Sequence, residues 1–248
     1  YRYIERVKSS FPNQMRLDGL KVVIDCANGA GYRAAPEVLW ELGADVVPVG
    51  VSPDGRNINL ECGSTSPRVA AETVVAHGAD VAICLDGDAD RVLIIDEKGY
   101  SIDGDHFLGM IGSRWLKEGA LVKNTLVSTV MSNMRLETFL NRDGIKLVRT
   151  AVGDRYVVEQ MRLNGFNLGG EKSGHVVMMD YSTTGDGLMA GLQFLAEMVR
   201  RGEPASVVGR PFDLAPQKTE NITYSGEKNP LDNPSVKKMI SESEKKMS

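Results

Sequence analysis

The sequence has no basic excess, no long apolar run and few cysteines, and each of these absences excludes a class of protein. Its 29 Lys and Arg are outnumbered by 33 Asp and Glu, which gives a net charge of −4. Binding a nucleic acid needs a basic face, so no nucleic-acid partner is expected. No apolar run approaches the ~20 residues of a membrane-spanning helix. We therefore expect no membrane association and a cytoplasmic location.

The cysteines are too few and too irregular for a disulfide framework or a zinc site. Cys26, Cys62 and Cys84 are odd in number and show no CxxC spacing, so each is expected to be a small buried residue. The first residue is not Met, and the polar stretch 228–248 ends without a closing element. Truncation at both ends is therefore expected.

What the sequence does contain is a regular alternation of β-branched apolar segments and helical segments. Strands alternating with single helices favour a largely parallel sheet with helices on its faces. An antiparallel pair and a helix with Asp103 as its N-cap follow at the end of this first series. The predicted strands are 20–27, 44–47, 81–85, 92–96 and 100–102, and the predicted helices are 32–42, 69–77 and 104–115.

The alternation restarts after residue 119, which predicts a second domain of similar plan. The fold class is therefore α/β, with two consecutive α/β/α domains and mixed, largely parallel sheets. The expected divisions are a linker helix over 1–13, domains over 14–118 and 119–208, and a linker with the start of a truncated domain over 209–248. The second series has predicted strands at 125–130, 145–150, 166–169 and 176–179 and predicted helices at 135–141, 155–163 and 187–201.

The strongest local signal is a run of acids directly after the strand at 81–85. Asp86, Asp88 and Asp90 stand at alternate positions and Arg91 follows them. Three clustered carboxylates repel one another unless a cation neutralises them, and Mg²⁺ prefers such oxygen ligands. The planar fork of Arg91 suits a phosphate. The run therefore predicts a magnesium site that meets a phosphate.

Three other interpretations of this run compete with a magnesium site. A merely hydrated acidic turn is common for an isolated DxDxD pattern. A calcium EF-hand is excluded, because Arg91 stands where that loop needs glycine. A phosphatase with Asp86 as nucleophile stays open.

A second signal is the glycine-flanked loop 170–175, with the sequence GEKSGH. Glu171 and Ser173 offer the acceptor and the donor that would fix neighbouring sugar hydroxyls, although a plain solvent-facing hairpin is the commoner reading. Weaker signals lie at 153–155 and 183–187. Both are typical helix-capping sequences, and a phosphate could dock at either helix start.

Four segments together resemble the α-D-phosphohexomutase superfamily. They are DGDADR at 86–91, GEKSGH at 170–175, AVGDRYV at 151–157 and DYSTTGDGL at 180–188. The last two are similar to the bacterial phosphoglucosamine mutase branch. The resemblance runs from about residue 3 to residue 211.

The resemblance implies a magnesium-dependent isomerase that interconverts glucosamine 6-phosphate and glucosamine 1-phosphate for cell-wall amino-sugar synthesis. A phosphomannomutase or phosphoglucomutase of the same superfamily, a sugar-phosphate phosphatase and a metal-free scaffold stay as alternatives. The implied roles are Mg²⁺ ligands for Asp86, Asp88 and Asp90, catalysis for Arg91 and His175, and substrate binding for Glu171, Ser173, Asp154 and Arg155.

Two segments expected of that superfamily do not occur in the sequence. One is a Thr-Ala-Ser-His-Asn-Pro type loop with the phosphorylated serine, and the other is an Arg-x-Ser-Gly-Thr-Glu type phosphate loop. The chain therefore resembles the second and third of four domains, and it is expected to be inactive alone. The full-length protein is a possible homodimer. Lys172 also departs from the pattern, in which an uncharged residue is expected, and it could meet a phosphate.

Overall fold

The computed structural model describes residues 2–218, 220, 223 and 229–247. Tyr1–Ala215 form one compact unit with two sheets, and Pro216–Ser248 form another. Within the described ranges, no helix is both long and apolar enough to cross a membrane.

The first sheet is five-stranded, with the strand order β2-β1-β3-β4-β5. β1 pairs in parallel with β2 and β3, whereas β4 pairs antiparallel with β3 and β5. The prediction of a mixed sheet is confirmed. Its strands are β1 (Lys21–Asp25), β2 (Asp45–Val49), β3 (Val81–Leu85), β4 (Val92–Asp96) and β5 (Ser101–Ile102).

The helices around this sheet begin and end at residues whose chemistry explains the boundaries. Pro36 lies in a first turn, where its missing N–H costs nothing, and Gly78 ends a helix in the left-handed conformation at φ 57°. The Asp103 carboxylate accepts from the Asp105 N–H at 2.9 Å, as its predicted capping role requires. The helices are α1 (Arg2–Ser9), α2 (Ala34–Glu41), α3 (Arg68–His77) and α4 (Gly104–Lys117).

The second sheet is four-stranded, with the order β7-β6-β8-β9. β6 pairs in parallel with β7 and β8, and β9 closes the sheet antiparallel to β8. The strands are β6 (Thr125–Thr129), β7 (Lys146–Thr150), β8 (Leu168–Gly170) and β9 (Val176–Met178), and the helices are α5 (Met134–Arg142), α6 (Asp154–Asn164), α7 (Gly187–Arg201) and α8 (Ala205–Val208).

A single large hydrophobic core joins the two sheets. α4 is buried from Asp105 to Trp115, and α7 is buried along most of its length. The rings of Phe107 on α4 and Phe194 on α7 lie 6.0 Å apart. Side chains around both sheets therefore pack in one core. The predicted domain boundary at residue 118 stays a prediction. Cys26, Cys62 and Cys84 are buried as free thiols, which confirms their expected character.

The polar stretch over 228–248, expected to hold no structural element, contains a helix. Residues 234–247 form helix α9 (Pro234–Met247) after a 3₁₀ turn at Pro230–Asp232. The Asn233 side chain accepts from the Ser235 N–H at 2.9 Å, and Lys238 and Glu242 pair at i,i+4. The cap, the charge pair and the apolar residues Val236, Met239 and Ile240 at helical spacing all favour this helix. The rest of the linker predicted over 209–248 lies partly outside the described residues.

Candidate metal and sugar site

The acidic run forms a loop, residues 86–91, at the carboxyl end of β3. We call it the acid loop. Two neighbouring segments hold its backbone from opposite sides. The Gly187 N–H at the start of α7 donates to the Ala89 carbonyl at 2.9 Å, and the Ala30 N–H in the loop after β1 donates to the Gly87 carbonyl at 2.8 Å. The carboxyl ends of parallel strands are where open α/β sheets bind ligands.

The three acids converge as the sequence predicted. One carboxylate oxygen from each of Asp86, Asp88 and Asp90 lies within 4.8 Å of the others. Asp86 is buried, Asp90 is partly buried and Asp88 is exposed. The Asp90 Oδ1 atom is buried and has no hydrogen-bond partner among the described residues. The Arg91 Nε atom lies 3.6 Å from it, which is an ion-pair distance without a hydrogen bond. Buried polar atoms in proteins are normally hydrogen-bonded, so this oxygen can still take a cation.

Arg91 grips the most buried acid. Its Nε atom lies 2.7 Å from the Asp86 Oδ2 atom, and its backbone N–H donates to Oδ1 at 3.1 Å. Burial alone would raise the pKa of Asp86, but these contacts stabilise the charged form and hold the pKa below its ordinary value. The Arg91 side chain remains 42% exposed. One edge of its guanidinium therefore orients a carboxylate, and the rest faces solvent.

His175 lies against the third acid. Its Nδ1 atom is 3.2 Å from the Asp90 Oδ2 atom, and its Nε2 atom is 4.0 Å from the Asp154 Oδ2 atom. Burial and the negative charge of Asp86 raise the pKa of Asp90. The His175 ring therefore bridges between the acid loop and the start of α6.

The two sheets meet at this point. Arg91 and His175 form an isolated antiparallel bridge, and the Val92 N–H donates to the Gly174 carbonyl at 3.1 Å. The approach is so close that a Cβ atom on Gly174 would lie 2.0 Å from the Val92 carbonyl oxygen. A Cβ on Gly185 would lie 2.5 Å from the His175 ring. The segments singled out from the sequence thus form one cluster.

Residues 170–175, which we call the sugar loop, are held by the starts of two helices. The Glu171 carboxylate accepts from the Gly153 N–H at 2.9 Å, and the Lys172 Nζ atom lies 3.4 Å from the Asp103 carboxylate. The predicted cap at 153–155 needs a correction. Gly153 occupies the N-cap position at φ 130°, Asp154 is the first helical residue, and its carboxylate accepts from the Arg155 N–H at 2.7 Å.

Two predicted site residues lie at the rim rather than in the cluster. Ser173 and Arg155 are exposed, and the Arg155 guanidinium lies 5.8 Å from the centroid of the Tyr156 ring. Within the described part of the chain, neither is hydrogen-bonded or ion-paired to the three acids. By contrast, the prediction that Asp186 caps a helix is confirmed, because its carboxylate accepts from the Met189 N–H at 2.9 Å.

Sequence reasoning missed one buried acid close to the acid loop. Asp25 ends β1, and its carboxylate accepts from the Ala27 and Gly63 N–H groups at 2.9 and 2.7 Å. The available signal was an aspartate directly after the apolar residues 22–24 in the strand KVVID. Such a residue is costly to bury unless its oxygens are hydrogen-bonded.

Two family models match the chain, and both describe α/β/α domains. The phosphoglucomutase/phosphomannomutase α/β/α domain II matches residues 1–99, and the α/β/α domain III of the same family matches residues 103–211. The chain belongs to the phosphoglucomutase/phosphomannomutase family.

Curated relatives of the chain include phosphoglucosamine mutases. The chain is 65% identical over 247 residues to a phosphoglucosamine mutase of Ruegeria sp. (strain TM1040) and 63% identical over 247 residues to one of Dinoroseobacter shibae. Each alignment takes in 100% of this chain and 55% of the relative. The chain thus spans about half the length of the relatives it matches.

Solved structures share the fold at lower identity. A phosphoglucomutase/phosphomannomutase family protein from Burkholderia thailandensis superposes with a TM-score of 0.73 at 24% identity, over 84% of this chain and 45% of that chain. The N-acetylphosphoglucosamine mutase of Aspergillus fumigatus, solved in complex with GlcNAc-6P and magnesium, gives a TM-score of 0.61 at 18% identity, over 84% of this chain and 51% of that one.

Proposed function

We propose that the chain supplies the metal-binding and sugar-binding parts of a mutase that interconverts glucosamine 6-phosphate and glucosamine 1-phosphate. The observation that carries the proposal is the junction of the acid loop and the sugar loop at Arg91 and His175. A phosphosugar held by the sugar loop would have its phosphate close to the acids. The names of the relatives at more than 60% identity support glucosamine phosphate over mannose or glucose phosphate as the substrate.

The residues present fit a magnesium ion. Asp86, Asp88 and Asp90 would hold it, since their oxygens converge and the buried Oδ1 atom of Asp90 accepts no hydrogen bond from the described residues. Oxygen ligands and positions left for phosphate or water are what Mg²⁺ prefers. Magnesium in the related Aspergillus structure supports this assignment. Bound there, the ion would offset negative charge on a transferring phosphoryl group.

The chain's own side chains would divide the remaining work. Arg91 fixes Asp86 and presents its exposed edge to a phosphate oxygen. His175 is oriented by Asp90 and would stand beside the reacting phosphate. The Glu171 carboxylate is aimed by the Gly153 N–H toward the sugar hydroxyls. A hydrogen bond from a sugar hydroxyl to the Glu171 carboxylate would be charge-assisted, and such a bond positions a substrate more firmly than a neutral one.

Ser173, Asp154 and Arg155 would complete the substrate site from its rim, where they are exposed. Their exposure suits groups that close on a ligand, because hydrogen bonds made only in a complex need not exist without it. Lys172 is directed to Asp103 by an ion pair, so the structure offers no support for a phosphate-binding role.

The geometry disfavours the phosphatase alternative. A nucleophilic carboxylate needs an oxygen free to attack. Asp86 is 1% exposed, and both of its oxygens accept from Arg91. A phosphosugar mutase uses the acids as ligands and places no such demand on Asp86.

We also propose that these 248 residues bind metal and sugar phosphate without turnover. The sequence holds neither of the two phosphate-handling loops that the family resemblance implies. The cytoplasmic location and the homodimer of the full-length protein stay predictions.

Calorimetric titration of the purified chain with Mg²⁺ tests the proposal, with Asp88→Asn as the test variant. Asp45→Asn is the matched control, because Asp45 is an exposed acid at the other end of the strands. We expect millimolar or tighter binding that is weakened at least tenfold by Asp88→Asn and unchanged in the control. No heat and no thermal stabilisation by Mg²⁺ would favour a metal-free scaffold. Release of free phosphate from a sugar phosphate, abolished by Asp86→Asn, would favour a phosphatase.

A further inference from the structure

The buried carboxylate of Asp25 ties together two chain segments at the carboxyl edge of the first sheet. Its Oδ1 atom accepts from the Ala27 N–H at 2.9 Å, and its Oδ2 atom accepts from the Gly63 N–H at 2.7 Å. Asp25 is 0% exposed. Burial without hydrogen bonds would cost several kcal/mol for such a group, so these two N–H groups are fixed where the carboxylate needs them.

Both of the tied segments touch the backbone of Gly87. From the loop after β1, the Ala30 N–H donates to the Gly87 carbonyl at 2.8 Å, and a Cβ on Gly29 would lie 2.1 Å from that oxygen. From the segment before Gly63, the Ile58 side chain is so close that a Cβ on Gly87 would lie 2.7 Å from it. Gly87 is therefore enclosed between the two segments that Asp25 joins.

The second segment also reaches the end of β3. The Ser64 N–H, next to the Gly63 N–H that Asp25 accepts from, donates to the Leu85 carbonyl at 2.9 Å. Leu85 directly precedes Asp86, and Gly87 lies between Asp86 and Asp88. Movement of either segment would displace the peptide units from which two of the three acids project.

We propose that Asp25 is a positioning residue for the acid loop, which sets the separation of the three carboxylates by holding both segments against Gly87. This inference rests on the proposed function through the metal site. Asp25 would not touch the ion. Its effect would pass through the peptide units around Gly87, as outer-shell contacts pass to metal ligands in other sites.

Asp25→Asn tests the proposal with almost no change in volume. An Asn side chain offers one acceptor and one N–H₂ group, so one of the two backbone donors would face another donor. We expect about tenfold weaker Mg²⁺ binding, at the lower end of outer-shell effects. We also expect about tenfold faster hydrogen exchange of the Ala30 and Ala89 amides in the metal-free protein.

Asp96→Asn is the matched control. Asp96 is also 0% exposed, and its Oδ1 atom accepts from two backbone N–H groups, those of Lys98 and Tyr100, at 2.9 Å each. It differs from Asp25 in that its Oδ2 atom also accepts from the Arg210 guanidinium at 2.7 Å, so Asp96→Asn is the more severe change. Asp96 stands opposite Val81, at the end of β3 away from the acid loop. We expect Asp96→Asn to lower the melting temperature as much as Asp25→Asn or more, and to leave the Mg²⁺ dissociation constant within twofold of the unsubstituted protein.

Mg²⁺ binding and amide hydrogen exchange together distinguish a wrong positioning role for Asp25 from a wrong assignment of the metal site. If the unsubstituted chain binds Mg²⁺ and Asp25→Asn binds it equally well, the positioning role is wrong. If no variant binds Mg²⁺, the exchange measurement decides, because faster exchange of the Ala30 and Ala89 amides in Asp25→Asn alone still supports the role. Equal exchange in the two variants would overturn it.

If Asp25→Asn does not fold, exchange in the unsubstituted protein decides the question. The Ala27 and Gly63 amides are bonded to Asp25, and the Ala30 amide is bonded to Gly87. A positioning role requires these three amides to exchange with the same dependence on denaturant, because one opening would release them together. Separate openings for the Asp25-bonded amides and the Ala30 amide would contradict the proposal.

Discussion

Replacing Gly174 with alanine should separate the two sheets at the point where the acid loop meets the sugar loop. Gly174 adopts φ +89°, a conformation that costs an L-residue about 1 kcal/mol. Its Cβ would also lie 2.0 Å from the Val92 carbonyl oxygen, so one of the two backbones must shift. That shift would break the 3.1 Å hydrogen bond from the Val92 N–H to the Gly174 carbonyl, which contributes about 1 kcal/mol.

The total loss is therefore about 3 kcal/mol, since residual crowding adds to the two contributions. Gly165→Ala is the control, because Gly165 has φ +66° at the end of α6 and no described atom within 4 Å of an added Cβ. It should cost only about 1 kcal/mol, from the conformation alone. The difference of about 2 kcal/mol would isolate the steric contact at Val92.

Urea denaturation followed by tryptophan fluorescence measures both free energies of unfolding. Trp115 is 3% exposed, so its emission should report loss of the shared core. Gly174→Ala should also weaken Mg²⁺ binding, because Arg91 and His175 stand on either side of the broken bridge. Equal destabilisation by Gly174→Ala and Gly165→Ala would refute the argument, since it would mean that the two sheets do not make this contact.

Three further substitutions test the electrostatics. Asp88→Asn should raise the stability of the metal-free chain by up to about 0.5 kcal/mol, because an exposed like charge is removed. A loss of stability in a thermal melt without metal would contradict repulsion among the three aspartates. Burial raises the pKa of Asp105 against the lowering effect of the Asn133 N–H. The protonated Asp105 carboxyl therefore contributes fully to stability below pH ~3.9, and this contribution is lost as pH rises through the folded pKa. Asp105→Asn should therefore gain stability relative to the unsubstituted chain as pH rises above ~3.9, and urea titrations showing the opposite trend would contradict the raised pKa. Lys172→Gln should cost about 0.5 kcal/mol or less, since its pair with Asp103 is partly exposed, and a calorimetric loss above about 2 kcal/mol would show a larger structural role.

The strands and helices could be predicted closely because their signals are local. The helix predicted over 187–201 has those bounds in the structure, and the strand at 81–85 does as well. α9 was missed because its few apolar residues stand among many charged and polar ones, so the stretch was interpreted as a polar linker. An Asn cap and an i,i+4 charge pair support the helix. Asp154 was taken for a cap, but a glycine at positive φ precedes it and takes that position. Boundaries of this kind depend on backbone conformation that composition does not specify.

The sequence by itself determined the acid loop, the sugar loop and the alternating strands and helices that carry them. Both the periodicity of apolar residues and the residue types of a ligand set are patterns among residues close together in the chain. Only the tertiary structure decided that Arg91 turns back on Asp86, that His175 lies against Asp90 and that Asp25 accepts from the Gly63 N–H. The first contact depends on how the acid loop folds, and the other two join segments far apart in the chain. Their distances follow from how α4 and α7 pack between the two sheets, and close packing of a shared core depends on all of its side chains at once.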